Sequence, residues 1–225
     1  MHIEPGVVDP GKIWLSYLTA GAAGGYAINL ARDTVRERGA TGLLFGTVAT
    51  TALVFTFFEI FPHWPVGVSE VHLILGSTLF LLFGAGPTVL GLALGLLIQG
   101  LFFAPSDLPQ YAMNVTTLLV PLFAVREVAK RVIAPHTPYV ELRYRQALAL
   151  STSYQAGIVA WVGFWALYGH GFAAENLAAI SSFGVAYLLV IVVEPLADLA
   201  VLAAAKALHR LRHTPLLERR LYQPA

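Results

Sequence analysis

The sequence predicts an all-α polytopic membrane protein, a bundle of seven transmembrane helices with its amino terminus outside and its carboxy terminus cytoplasmic. Three observations predict it. Only 12% of the 225 residues are charged and 57% are hydrophobic, with a mean hydropathy of +0.69. A soluble domain carries about 25% charged residues, so polar surface is too scarce here to cover a globule. Apolar runs recur along the chain, separated by short turns marked by proline, glycine or charge. An odd number of spans with the amino terminus outside puts Arg32, Arg36, Arg38, Arg126, Lys130, Arg131, Arg143, Arg145, Lys206, Arg210, Arg212, Arg219 and Arg220 inside and leaves only Lys12 outside. That distribution follows the positive-inside rule, and six or eight spans would spoil it.

The elements follow in order. MHIEPGVVDPG, residues 1–11, is short, acidic and punctuated by proline, so it is an outer segment and not a helix. The first span, 13–30, is rich in small residues from Ala20 to Gly25, a composition suited to close helix packing in lipid. A basic loop holds Arg32, Arg36 and Arg38, and a second span covers 41–61. After the turn-rich 61–71, the chain runs from His72 to Phe103 without a formal charge. Gly84-Ala85-Gly86-Pro87 splits that run into two short helices beginning at His72 and ending at Phe103. The loop APSDLPQ precedes a short span over 111–125, and the last two spans cover 147–168 and 177–205. The whole of 1–225 reads as one integral membrane domain, closed by a basic cytoplasmic tail at 206–225. Gly91 and Gly95 share a helix face that offers a sliding surface to a partner.

Several function classes are excluded. No cleavable signal is visible, because the first ten residues lack Lys and Arg and carry Pro5 and Pro10; Met1 is expected to be retained before the bulky His2. The chain has no cysteine, which removes disulfides, thiolate metal sites and iron–sulfur clusters. GAGPTVLG lacks the lysine of a P-loop, and neither HExxH nor GxSxG occurs, so the chain is read as a non-enzyme without its own ATPase motif. Nothing points to nucleic acid.

The chemistry gathers at the amino terminus. A free amine followed by His2 offers amine nitrogen, amide nitrogen and imidazole Nδ1 as one tridentate chelate with fused five- and six-membered rings. A second imidazole would complete a square of nitrogens, a geometry that suits Ni(II) or Cu(II) and is open to Co(II). His72, at the outer start of a charge-free run, is the candidate, since a polar group there is costly unless it is used. His63 and His170 read as loop residues on the same face, and His136, His209 and His213 as solvated residues on the other. Gln99 and Asn114 interrupt apolar segments and must find partners inside the bundle, either as helix glue or in support of a metal pocket. Glu194 and Asp198, one turn apart, are expected to pair with arginine or dock a partner on the inner side.

The opening MHI followed by EPG, the block VHLILGSTLFLLFGAGPTVLGLALGLLIQGLFF and the AMN at 112–114 resemble the CbiM/NikM family. These are the substrate-specific (S) membrane subunits of energy-coupling factor (ECF) transporters for cobalt and nickel. The resemblance implies a metal site made by Met1, His2 and His72, with Asn114 supporting the amino-terminal segment. It implies Co(II) or Ni(II) as transported ligand and no catalytic cofactor. Separate ATPase subunits, a coupling (T) membrane subunit and in some systems a small accessory N-type subunit are the implied partners, in a prokaryotic cytoplasmic membrane. The chain departs from the family where APSDLPQ replaces a glycine-rich loop and Val115-Thr116-Thr117 replaces the residues usual after the asparagine. Two other readings stand beside this one: an S-subunit for a vitamin-like organic compound, and a membrane scaffold without transport.

Overall fold

Gly39 is where the first long helix turns. The computed structural model describes residues 2–211; Met1, Arg212, His213, Arg219 and Arg220 lie outside the described residues, as does the end of the basic tail. Helix α1 (Trp14–Phe55) continues through Arg32 and Arg36, where the sequence suggests a loop, and breaks only at Gly39, whose φ of 74° suits glycine. A π-helical turn, Thr56–Ile60, extends it. Then come α2 (Gly76–Phe83), α3 (Ala85–Phe102), a 3-10 turn (Pro105–Gln110), α4 (Tyr111–Val132), α5 (Tyr144–His170) and α6 (Ala174–Leu211).

Among the described residues, five helical stretches are long and apolar enough to cross a membrane, so the all-α polytopic membrane class stands. The seven expected segments map onto them unevenly. The first stretch holds two of them, one on either side of Gly39. Helix α2 has eight residues, about 12 Å at 1.5 Å per residue, too short to cross alone. The expected break after it is sharp, at Gly84 with φ 87°.

One feature departs from the all-α expectation. Strands β1 (Trp64–Val66) and β2 (Ser69–Val71) form an antiparallel hairpin that pairs Trp64 with Val71 and Val66 with Ser69. Ile3 adds a bridge to Ser69, so the amino-terminal segment lies as a third short strand against the hairpin. Three-residue strands leave too little alternation to be read from sequence.

His72 does not begin a helix as expected. Helix α2 starts at Gly76, and residues 72–75 are irregular, ending in Leu75 at φ 52°. The cause lies on α6, where the Glu194 carboxylate accepts the N–H groups of Ile74 (2.9 Å) and Leu75 (2.7 Å). Asp198, a turn later, accepts the hydroxyls of Ser77 and Thr78. The two buried acids therefore hold the start of α2, and among the described residues neither forms an ion pair with an arginine.

Gly91 and Gly95 are buried in the packing of α3 on α1. A Cβ on Gly91 would fall 2.1 Å from Thr50 Oγ1, and one on Gly95 would fall 2.6 Å from Val54 Cγ1. The expected sliding surface is thus an internal helix contact. Conversely, Gly21, Gly24 and Gly25 have open space around them, while Ala23 and Ala27 of the same span are buried in the core.

The two ends of the bundle differ. One collects the amino-terminal segment, the hairpin, the 105–110 turn and the α5–α6 connection: Lys12 Nζ reaches the carbonyls of Tyr168 (3.2 Å) and Gly169 (2.9 Å), and His170 Nε2 reaches that of Gly6 (2.9 Å). At the other, Arg38 donates to the Phe83 carbonyl and Lys206 to that of Val140 at 2.9 Å.

Candidate metal site

Backbone pairing builds the site. The His2 carbonyl accepts the Glu70 N–H and the Ser69 hydroxyl, each at 2.9 Å, and Glu4 N–H donates to the Val68 carbonyl at 3.2 Å. From α4, Asn114 Oδ1 accepts the N–H of Ile3 at 2.8 Å. These bonds fix the chain on both sides of His2. Glu70 and His72 are two apart where the chain is extended, so both side chains can point to the same side.

The result is two buried imidazoles around one carboxylate. His2 and His72 are 3% and 1% exposed, with ring centres 5.4 Å apart. Glu70 Oε2 lies 3.1 Å from His2 Nδ1 and 2.9 Å from His72 Nε2, and Asp107 Oδ2 lies 2.6 Å from the same His2 Nδ1. A nitrogen facing a carboxylate carries the proton. His2 Nε2 and His72 Nδ1, the other ring nitrogens, have no hydrogen-bond partner among the described residues. His2, Glu70 and His72 each place a ligand atom within 4.8 Å of the others. Phe58 closes the apolar side edge-on to both rings, and His63 stacks on His72 at 4.9 Å with 16° between planes.

The family model described as cobalt uptake substrate-specific transmembrane region, CbiM, matches residues 2–212. The chain belongs to the CbiM family. Two solved structures share its fold. One, titled as a truncated transition metal transporter, has a TM-score of 0.69 and 20% identity over 93% of this chain and 99% of that one. The other, titled as a transition metal transporter, has a TM-score of 0.68 and 19% identity over 99% of this chain and 98% of that one. No curated protein sequence matches the chain.

For this CbiM-family chain, three of the expected site residues meet: His2, His72 and, through the Ile3 amide, Asn114. Met1 lies outside the described residues. Gln99 is buried, but its Oε1 has no partner among the described residues and no hydrogen bond joins it to His72. The sequence reading missed three neighbours. Glu70 and Asp107 are not singled out there, and His63 is taken as a loop residue. The i, i+2 spacing to His72 was a usable signal for Glu70; Asp107 arrives from a turn 105 positions after His2, and nothing local reveals it.

Electrostatics set the charge states. Burial works against ionisation of Glu70, yet hydrogen bonds from His2 and His72 outweigh it and hold the carboxyl well below its ordinary 4.5. Burial is the largest influence on His72 and pushes its imidazole well below the usual 6.5, so it is neutral and has a lone pair to give. Glu4 is raised from 4.5, first by burial and then by the charges of Glu70 and Asp107. A cluster of acids facing a neutral imidazole is a setting that favours a cation.

Proposed function

We propose that this chain is the substrate-capturing membrane subunit of an ECF-type ABC importer for a divalent transition metal, Co(II) or Ni(II). The metal is cargo and not a catalytic cofactor. Its ligands are the Met1 amine, the His2 amide nitrogen, His2 Nδ1 and the His72 imidazole, a set that suits metals accepting planar nitrogen coordination. The observation that carries the reading is the pair of buried imidazoles at one end of a membrane bundle, His2 Nδ1 and His72 Nε2 converging on one carboxylate oxygen.

Binding exchanges protons for metal. In this structure His2 Nδ1 donates to Glu70 and Asp107. To ligate, it gives up that proton, as do the amine and amide, so affinity rises with pH. The basic end faces the cytoplasm of a prokaryote and the imidazole end faces outside. Hydrolysis belongs to separate ATPase subunits, a coupling membrane subunit transmits it, and reorientation of the loaded chain in the bilayer releases the metal.

His2→Ala and His72→Ala test the reading by titration of purified protein with Ni(II) and Co(II). Each substitution is expected to abolish stoichiometric binding while the helical circular dichroism spectrum is retained. Unchanged affinity in both variants refutes it. An organic compound released on denaturation, with no metal found by elemental analysis, would favour a vitamin-like substrate instead.

A further inference from the structure

The nitrogen set above leaves one atom of the site without a role: Glu70 Oε2, which touches both imidazoles. Ligand atoms about 2.1 Å from one ion and at right angles to each other lie about 3.0 Å apart; on opposite sides they lie about 4.2 Å apart. Glu70 Oε2 is 3.1 Å from His2 Nδ1 and 2.9 Å from His72 Nε2. Both distances match the right-angle value. The two hydrogen bonds converge on one oxygen, so a single cation replacing their protons would find that oxygen next to each imidazole nitrogen at the spacing of adjacent coordination positions.

We propose that Glu70 is a fifth, oxygen ligand of the transported metal, which makes this a mixed nitrogen–oxygen site that favours Co(II) over Ni(II). The proposal rests on the reading above and deepens it. A ligand adjacent to both imidazoles stands off the plane that the four nitrogens define. Planar nitrogen coordination satisfies Ni(II) without such a ligand, whereas Co(II) gains from a further oxygen. Charge agrees with the geometry. Two carboxylates, Glu70 and Asp107, converge on one imidazole nitrogen, an arrangement that like charges oppose unless a cation joins them. Asp107 has a different part: it contacts His2 alone among the imidazoles and orients that ring as a positioning residue.

The test uses the full chain with a free amino terminus, titrated separately with Co(II) and Ni(II). Glu70→Gln keeps the shape and removes the anionic oxygen. It is expected to lower Co(II) affinity by at least the about 10- to 100-fold that loss of a supporting group costs, to lower Ni(II) affinity less, and to shift the Co(II) ligand-field bands. Asp107→Asn is expected to weaken both metals alike and leave the bands in place. On the unmodified protein, an infrared difference spectrum on adding Co(II) shows a shifted carboxylate stretch, a readout that survives if the variant fails to fold. Unmoved bands with an unchanged Co(II)-to-Ni(II) affinity ratio, or no carboxylate shift, overturns the oxygen ligand alone. Absence of any metal binding by the unmodified protein overturns the metal reading with it.

Discussion

His72 is buried with its Nε2 against the Glu70 carboxylate, and burial keeps the ring neutral. Its depressed imidazole fixes the sign of an acid effect. The stability it contributes is complete above the unfolded value near 6.5 and is lost as pH falls below that toward the folded value. Glu70, held low, adds a second loss as pH drops below 4.5, while Glu4, raised, gains stability as pH falls toward 4.5 from above and so offsets part of the His72 loss. The thermal midpoint should therefore fall between pH 7 and pH 5, and His72→Gln should flatten that fall; melts at a series of pH values check it. Asn114 offers a second residue-scale prediction. Asn114→Ala leaves the buried Ile3 N–H unpaired, a cost of about 1–3 kcal/mol, and should weaken metal binding in titration by about tenfold or more while His2 and His72 remain present. At this scale the sequence was informative about imidazoles and poor on acids, because a Met-His opening and a lone intramembrane-edge histidine are local signals. The convergence of Glu70 and Asp107 depends on how the hairpin and the 105–110 turn come together.

At the scale of elements, the helices were legible because long apolar runs admit few other structures in a bilayer. Their joints were less so. Gly84 announced its break through the Gly-Pro cluster, but residues 72–75 read as helix because the acceptor that keeps them open, Glu194, lies 120 positions away. The hairpin went unread for want of length, and it matters most, since it carries Glu70 and leads directly into His72. Gly67 turns it at φ 65°, and a Cβ there would stand 2.1 Å from the Ala179 carbonyl on α6. Gly67→Ala should push the hairpin off α6 and lower metal affinity at least tenfold with the helical signal intact; calorimetric titration beside circular dichroism tests this.

Across the whole molecule, the segments that gather at the imidazole end are those that an amino terminus outside and an odd number of crossings would send to one face. Among the described residues, Arg38 and Lys206 bind carbonyls at the other. The amino-terminal segment is stitched to the hairpin, to α4 and to the end of α5, where a Cβ on Gly169 would meet the Val7 carbonyl at 1.7 Å. The proposed chelate uses the terminal amine as a ligand, so residues added ahead of Met1 would remove one of its donors. The most direct measurement is elemental analysis of two purified proteins, one ending in its free Met1 amine and one extended by a few residues before it, each exposed to Ni(II) and Co(II). One metal per chain in the first and none in the second is the predicted result. Equal metal in both would contradict the site.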